Sequence, residues 1–326
     1  MAAPDESGAG SIGGYRLLEP LGRPGTVSSY RAESLAAPGR PVVVKLLSPR
    51  LLEQPAALDR FRHDAAVLAR LQHPNLARVL GIGQEEDRPF VALEYVEGLP
   101  LDQRLRQSRL TLQEAFAAFR GICRGLAHAH EHGVIHRYLR PRDILVSPDL
   151  SVVKLADFGL GRVEALGTTG TMNTGAVVLG ALPYLAPEMV ETRGPGSLEP
   201  DHRADLYSAG VIFHEMLTGR PPSGKFTLPS QVNGELLPVV DVLVMKCLSR
   251  NPLQRYATAL DLLADLDKVE EASRLRMLSE IRGITEAGSK LLGGSPGPDG
   301  KGRAGLWIGL LVLLLALAAA AFFLLR

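Results

Sequence analysis

Apolar residues recur at strand and helix spacings over residues 15–96. Short runs in which apolar and polar positions alternate predict β-strands, and these runs are residues 15–18, 41–47, 77–83 and 89–95. Residues 56–71 instead carry an apolar position every three or four residues, which is the spacing of a helix with one buried face. That face comprises Leu58, Phe61, Ala65, Leu68 and Leu71. The pattern therefore predicts a β-rich unit with one helix over residues 15–97.

From Leu101 onward the spacing is mostly helical. Thr111 and Glu114 are spaced as a capping box and predict a helix that begins there and ends near His132, before Gly133. Further helices are predicted over residues 205–217, 239–248 and 258–269. A helical unit thus follows over residues 98–270, whereas the small and polar residues 1–14 are predicted to be disordered.

The amino-acid composition of the chain changes at residue 271 and again at residue 304. Residues 271–303 predict a juxtamembrane helix and a Gly/Pro-rich linker. Residues 304–325 are uncharged and almost wholly apolar, and their number is about the ~20 that a transmembrane helix needs. We expect a single-pass membrane protein with its globular domain on the cytoplasmic side. The alanines of residues 316–321 would allow two such helices to approach closely, so a homodimer is one expected partner state.

Charge and cysteine content bear on which partners and which kinds of site are expected. The chain has 36 Lys+Arg against 35 Asp+Glu, so no overall field attracts nucleic acid, and no nucleic-acid partner is expected. Cys123 and Cys247 lack the spacing of a metal site, and two free thiols in a reducing compartment are expected. The N-terminus has no apolar core of the kind found in a secretory signal peptide.

One motif carries most of the functional information. Residues 136–143 read His-Arg-Tyr-Leu-Arg-Pro-Arg-Asp. This motif resembles the catalytic loop of the Ser/Thr protein kinases, His-Arg-Asp-Leu-Lys-Pro-x-Asn. The resemblance implies an α+β, two-lobed kinase fold, with a β-rich N-lobe over residues 15–97 and a helical C-lobe over residues 98–270. Tyr138 replaces the aspartate that accepts the substrate proton, and Arg140 replaces the neighbouring lysine. A phenol keeps its proton at neutral pH, so Tyr138 is a poor general base.

The same resemblance implies an ATP and Mg²⁺ site. Lys45, which ends the motif Val-Val-Val-Lys, would hold the α- and β-phosphates. Asp157 of the Asp-Phe-Gly motif would bind magnesium, and Asp143, which replaces the family asparagine, would be a second metal ligand. Glu94 and Val96 occupy the hinge that contacts adenine.

Other positions depart from the family pattern around the phosphates. Gly22 and Gly25 remain in the phosphate-binding loop, but Pro24 and Val27 replace glycines whose backbone would approach phosphate closely. The glycines are also compatible with an ordinary hairpin turn. Asp64 stands where a glutamate pairs with Lys45, and an exposed helix charge is the alternative. We expect weak ATP and Mg²⁺ binding, and a scaffold role would require neither.

The resemblance extends through the second half of the domain. Glu188 and Arg255 would form a buried ion pair, and Asp205 would anchor the backbone of His136 and Arg137. Ala181 replaces the threonine that contacts the catalytic aspartate. Arg137 would pair with a phosphate on the activation segment, or else that segment is simply a flexible loop. The candidate phosphorylation sites are Thr168, Thr169, Thr171 and Thr174.

These observations favour a membrane-anchored pseudokinase. It would be a signalling scaffold or allosteric regulator with weak or no ATP phosphotransfer, and its partners would be other signalling proteins, among them an active kinase. Two alternatives stay open. One is an atypical active Ser/Thr protein kinase that transfers the γ-phosphate of ATP to protein hydroxyls, because Lys45 and Asp157 are kept. The other is an adaptor that responds to phosphorylation of its activation segment.

Overall fold

The computed structural model describes residues 10–22, 27–48, 52, 55–85, 88–158, 182–190, 200–222 and 227–292. The chain divides into two compact units, residues 1–266 and residues 267–326. The first unit contains a β-rich region followed by a mainly helical region, as the sequence pattern predicts.

An antiparallel sheet of six described strands forms the β-rich region, and its spatial order is β1-β2-β3-β4-β6-β5. The helix α1 (Pro55–Leu68) lies between β4 and β5 in sequence. The strands are β1 (Gly10–Ile12), β2 (Tyr15–Pro20), β3 (Val27–Ser34), β4 (Pro41–Leu47), β5 (Val79–Glu85) and β6 (Arg88–Glu94).

The alternation of side chains along β4 separates two apolar clusters. Val42, Val44 and Leu46 belong to a cluster with Phe90 on one side of the sheet. Leu47 belongs to the other cluster, which is formed with α1 and which Val43 and Val27 also contact. Because successive side chains of a strand point to opposite faces, Lys45 lies on the same face as Leu47 and α1.

The predicted apolar face of α1 is confirmed. Phe61 and Ala65 are fully buried, and Leu58 and Leu68 pack against the same cluster. Leu71, which follows the helix, is also buried. Packing against the sheet is therefore what stabilises this helix, as an amphipathic pattern requires.

Two observed strands, β1 and β3, were not among the strands predicted from the sequence. Gly10–Ile12 forms β1 and pairs with β2, so the prediction that residues 1–14 are disordered is wrong for residues 10–14. Ile12 is buried in the sheet cluster, which gives the strand a reason to pair. The connecting Gly13 and Gly14 both have positive φ, and a Cβ on Gly13 would lie 2.0 Å from the Phe90 ring. The strand β3 was not predicted at all.

The helical region of the first unit surrounds a small three-stranded sheet, whose order is β7-β8-β9. The helices α3 and α5 pack together through Phe119 and Phe213, whose rings stack 4.1 Å apart. The described elements are β7 (Leu99–Pro100), α2 (Leu101–Gln107), α3 (Leu112–Glu131), β8 (Ile144–Val146), β9 (Val153–Leu155), α4 (Pro187–Val190), α5 (Arg203–Thr218), α6 (Pro229–Val232), α7 (Pro238–Cys247) and α8 (Ala259–Leu292).

The start of α3 is the one that the capping box predicts. The Thr111 side chain accepts the Glu114 backbone N–H at 3.2 Å, and the Glu114 carboxylate accepts the Thr111 N–H at 2.7 Å. Both N–H groups would otherwise lack a partner at the helix end. Cys123 in α3 and Cys247 in α7 are buried free thiols, as expected.

The helix α8 joins two predicted helices into one. The sequence analysis predicted a helix over residues 258–269 and a separate juxtamembrane helix within residues 271–303, whereas the structure has one helix from Ala259 to Leu292. Residues 271–279 contain helix-forming Glu, Ala, Arg and Leu but are mostly exposed, so buried positions alone would end the helix too early. No described helix is long and apolar enough to cross a membrane. The predicted transmembrane segment, residues 304–325, lies outside the described residues.

Candidate functional site

Asp205 at the start of α5 fixes the backbone of the candidate catalytic loop. Its carboxylate accepts the backbone N–H of His136 at 2.8 Å and that of Arg137 at 2.6 Å. It also accepts a hydrogen bond from His130 Nε2 at 2.8 Å. The Asp205 side chain is fully buried, and Arg137 is held at a φ of 72°, which non-glycine residues rarely adopt. The hydrogen bonds to Asp205 therefore fix the backbone conformation of the loop.

His136 connects this loop to the segment that carries Asp157. Its Nε2 lies 3.1 Å from the carbonyl oxygen of Ala156, and its ring centroid lies 4.7 Å from that of Phe158. His136 and Phe158 are thus in direct contact. It places the Asp157 segment beside the loop.

Glu188 and Arg255 form the predicted buried ion pair. The two guanidinium nitrogens Nη1 and Nη2 donate to the two carboxylate oxygens at 2.6 and 2.7 Å, and the Arg255 side chain is fully buried. Arg255 also donates through Nε to the Ser249 carbonyl at 2.8 Å, and its guanidinium lies over the Tyr207 ring. Such two-point pairs are the most specific arrangement of Arg with a carboxylate.

Lys45 and Asp157 lie at the cleft between the sheet and the helical region. Lys45 Nζ is 2.5 Å from Asp157 Oδ1 and also donates to Ser29 Oγ at 3.2 Å. Burial by itself would raise the pKa of Asp157, but the charge and hydrogen bond of Lys45 outweigh it, and the net effect is a lowered pKa. Asp157 is therefore ionised at neutral pH, and Lys45 is its counter-ion.

Arg140 and Asp143 form a second ion pair within the loop itself. Asp143 Oδ2 accepts the Arg140 backbone N–H and the Arg140 Nε–H, both at 3.1 Å, and Nη2 lies 3.4 Å from Oδ1. The Asp143 side chain is only 3% exposed. Burial raises the pKa of Asp143, although the charges of Arg140 and His136 act in the opposite direction. Asp143 is thus held by the residue that replaces the family lysine.

The two ion pairs occupy one electrostatic neighbourhood. The charge of Asp157 contributes to the raised pKa of Asp143, and the charge of Arg140 contributes to the lowered pKa of Asp157. Of the sequence-predicted residues, the structure therefore brings together Lys45, Asp157, Arg140 and Asp143. Tyr138 is half-buried in the same loop. The Arg140–Asp143 pairing was missed in the sequence analysis, although opposite charges three residues apart in a short turn were a usable signal.

The cleft side of the sheet carries the predicted departures from the family pattern. Val27 is paired with Leu47 and Ser29 with Lys45 across β3 and β4, so Val27 and Ser29 share the face of Lys45. Val27 packs against the apolar cluster of Leu47 rather than projecting alone. Gly22 has a φ of 95°, and nothing lies within 4 Å of a Cβ built there, so its backbone conformation is what requires glycine. Gly25 and Pro24 lie outside the described residues.

The hinge residue Glu94 is engaged through its side chain. Its Oε1 accepts the Arg78 backbone N–H at 2.9 Å and lies 2.6 Å from Lys154 Nζ. Its own backbone N–H donates to the Arg78 carbonyl, and Val96, two residues on, is nearly buried. The Glu94 carboxylate is therefore already engaged by Arg78 and Lys154.

Other predicted site residues remain untested. The contacts described for Lys45 are those with Asp157 and Ser29, and its pairing with Asp64 stays a prediction. Arg137 is partly buried and anchored by its backbone, but the segment it would contact is not described. The threonines in question, Thr168, Thr169, Thr171 and Thr174, lie outside the described residues.

The cleft fits one divalent cation better than two. Within the described ranges no group of three or more His, Cys, Asp or Glu side chains is arranged to hold a metal by itself. Asp157 is ionised and its side chain is 34% exposed, so it fits a cation that is also bound by phosphate oxygens. Asp143 is buried and already holds a guanidinium, and it fits a second cation poorly.

Comparison with known proteins agrees with this geometry. The family model described as "Protein kinase domain" matches residues 15–282. The chain belongs to the protein kinase family. The two-lobed kinase fold expected from the catalytic-loop motif is thereby confirmed, with the sheet as N-lobe and the helical region as C-lobe.

Two relatives among the similar curated proteins are mycobacterial Ser/Thr protein kinases. The chain is 34% identical over 277 residues to Ser/Thr-protein kinase PknB of Mycolicibacterium smegmatis, a match that covers 79% of this chain and 43% of PknB. It is 35% identical over 272 residues to Ser/Thr-protein kinase PknL of Mycobacterium tuberculosis, covering 79% of this chain and 66% of PknL. The chain thus spans less than half the length of PknB.

A solved structure supports the fold alone. The crystal structure of the Mycobacterium tuberculosis PknI kinase domain matches with a TM-score of 0.63 at 23% identity, and the match covers 82% of this chain and 99% of that domain. At this identity the likeness concerns the path of the backbone and not the chemistry of the cleft.

Proposed function

We propose that this protein is a signalling member of the kinase family that transfers little or no phosphate and acts as a scaffold or allosteric regulator. Its partners would be other signalling proteins, among them an active kinase. The observation that carries the proposal is the catalytic loop itself. Its backbone is held as a kinase would hold it, whereas the catalytic position carries the half-buried Tyr138.

The loss of the aspartate removes two contributions to catalysis. A positioned general base typically accelerates a reaction by about 10²–10⁴-fold, and a phenol that keeps its proton cannot supply this. The missing negative charge would also have oriented the substrate hydroxyl. The buried carboxylate of Asp143 does not compensate, because Arg140 already holds it.

The cleft supports weak nucleotide binding at most. Lys45 and Asp157 have the positions to hold phosphates and one cation, which would supply charge neutralisation of the phosphates. Ser29 stands where an apolar residue would cover the adenine ring. Val27 places a branched side chain where glycine would leave the backbone open to phosphate.

A phosphotransfer assay tests the proposal directly. The purified full chain would be incubated with labelled ATP, Mg²⁺ or Mn²⁺, and generic protein substrates, beside the matched variant Lys45→Ala. The expected result is incorporation no higher than that of the variant. Robust incorporation by the wild type that Lys45→Ala abolishes would reject the proposal.

A second candidate function is an atypical active Ser/Thr protein kinase. The short Lys45–Asp157 ion pair favours it, because both groups are charged and in place. Phosphoryl transfer depends mostly on positioning and charge, so the loss of a base is not by itself fatal. The same assay separates the two candidates.

The proposal includes anchoring to a membrane by residues 304–325, with the kinase-like domain on the cytoplasmic side. The composition of that segment supports it. Expression of the full chain and of a chain ending at residue 300, followed by membrane fractionation, is the test. Recovery of both proteins in the soluble fraction would contradict the anchor.

Regulation by phosphorylation is proposed for the activation segment. Arg137 would pair with a phosphate on Thr168, Thr169, Thr171 or Thr174 and order the segment. Phosphopeptide mapping of the protein from its native cells should find at least one of these threonines modified. A map that covers the segment and finds none would argue against this role.

A further inference from the structure

The Arg140–Asp143 ion pair changes what the cleft can bind. The Asp143 carboxylate accepts three hydrogen bonds from Arg140, one from its backbone N–H and two from its guanidinium, which engages both oxygens. The side chain is almost fully buried. A divalent cation ligated by Asp143 would therefore lie close to a fixed positive charge in a site with little water to screen it.

Among the residues that the structure describes, the carboxylates of Asp157 and Asp143 each have a basic partner without a metal. Lys45 pairs with Asp157, and Arg140 pairs with Asp143. Only Asp157 is also substantially exposed, with 34% of its side chain accessible. A first divalent cation can reach Asp157 together with the phosphates, whereas a second one would have to displace a guanidinium from a buried partner.

We propose that the Arg140 guanidinium takes the place of the second metal ion, and that this protein binds a nucleoside triphosphate with a single divalent cation, held at Asp157. Arg140 carries a permanent charge, because the guanidinium does not lose its proton in proteins. Asp143 then serves to hold that charge at the phosphates and is a positioning residue rather than a metal ligand. This inference rests on the residual nucleotide binding proposed above and defines its ligand.

A single metal site should make ATP binding less dependent on metal than a site with two metals. A site that needs two metals loses most of its nucleotide affinity when the metals are removed, because the phosphate charges are then poorly neutralised. In this protein EDTA would remove only the cation at Asp157, because Arg140 stays in place, so we expect ATP affinity to fall less on metal removal than it would at a two-metal site.

The number of bound metal ions is the most direct test. Full-length protein would be titrated with Mn²⁺ at saturating ATP, and bound Mn²⁺ would be counted by electron paramagnetic resonance. The wild type should hold one Mn²⁺ in its ATP complex, and Asp157→Asn should hold that ion more weakly, because only the phosphates of ATP then bind it. Two Mn²⁺ ions in the wild-type complex would overturn the inference.

A double variant gives the matched control. Arg140→Lys with Asp143→Asn introduces the two residues of the family pattern, so no buried charge is left without a partner. This variant should take up a second Mn²⁺, and its ATP affinity, measured by calorimetry, should depend on Mg²⁺ by about tenfold or more. A variant that folds and still binds a single ion would contradict the role given to Arg140.

The remaining outcomes are also decisive. If the double variant does not fold, the metal count of the wild type alone decides between one ion and two. If the wild type binds no ATP with or without metal, the inference is wrong, yet the proposed silent kinase function survives. If instead the wild type transfers phosphate in the Lys45-dependent assay, the proposed function fails whatever the metal count.

Discussion

The residues that anchor the catalytic loop keep the family pattern, whereas the loop residues on the cleft side depart from it. Beneath the loop, Asp205 accepts two backbone N–H groups and a histidine, and the Glu188–Arg255 pair stabilises the adjoining segment, all with the residue types of an ordinary kinase. On the cleft side, Tyr138, Arg140 and Asp143 all differ from the family pattern. The conformation of the loop depends on buried acceptors, and its chemistry depends on side chains that face the cleft, so one can change without the other.

The difference also appears in how charge is balanced. A buried ion pair that loses one member leaves a charge without compensation, which is costly. The anchoring side keeps both members of its pairs. The cleft side has replaced a lysine and an asparagine by Arg140 and Asp143 together, and these residues neutralise each other. The altered loop therefore remains compatible with a stable domain.

The largest effect on stability is expected at Arg255, which belongs to the buried ion pair on the anchoring side. Arg255→Ala should lower the free energy of unfolding by about 3–5 kcal/mol, because Glu188 is left with a poorly solvated and unpaired charge. Urea denaturation measures this loss. Arg106→Ala is the matched control, because Arg106 is 68% exposed in its pair with Asp102, and it should cost less than about 1 kcal/mol. Equal losses would show that the buried pair is not special.

A smaller but still large effect is expected at Asp205. Asp205→Asn should lower the free energy of unfolding by about 2–3 kcal/mol, because an amide cannot accept all three hydrogen bonds. Amide exchange at His136 and Arg137 should accelerate at the same time. Asp261→Asn, which alters an exposed helix cap at Thr258, is the control. Unchanged exchange at the two amides would contradict the anchoring role.

The contribution of Asp143, on the cleft side, to stability should depend on pH. Its pKa is higher in the folded protein than the ordinary value of 3.8, so its favourable contribution is complete below that value and is lost as the pH rises through the folded pKa. The stability of wild type relative to Asp143→Asn should therefore improve as the pH falls toward 4. Denaturation at several pH values measures it, and a trend of the opposite sign would refute this assignment.

The smallest effect on stability is expected at Tyr138. Tyr138→Asp should change the free energy of unfolding less than Arg255→Ala or Asp205→Asn does, because the side chain is only half-buried. Phosphotransfer should stay near background, since Arg140, Asp143 and the altered phosphate loop remain. The triple variant with Arg140→Lys and Asp143→Asn should exceed it. If Tyr138→Asp alone restored full transfer, the other substitutions would be of no consequence.

Sequence patterns predicted the anchoring side well. Asp205, Glu188 and Arg255 were placed through ordered motifs, and α3 through its capping box, because each depends on residue types at fixed spacing. The strand β3 was missed because Ser28, Ser29, Arg31 and Glu33 obscure its alternation, and only Ala32 of this strand is fully buried. Its pairing with β4 comes from the neighbouring strands rather than from its own apolar content.

The cleft was predicted less completely. Lys45 and Asp157 were assigned correctly to one neighbourhood, but their direct contact depends on how the sheet meets the helical region, which no local pattern records. The role of Asp143 was read from the family position as a metal ligand. Its partner Arg140 is visible only when the side chains of the turn are considered together.

The contact between Lys45 and Asp157 joins a strand of the sheet to the end of the small C-lobe sheet. A cation attracted to that carboxylate competes with the lysine for it, so ligand binding would act on a contact that links the two lobes. Under the proposed function, a partner that contacts both lobes would respond to such binding without any product being formed.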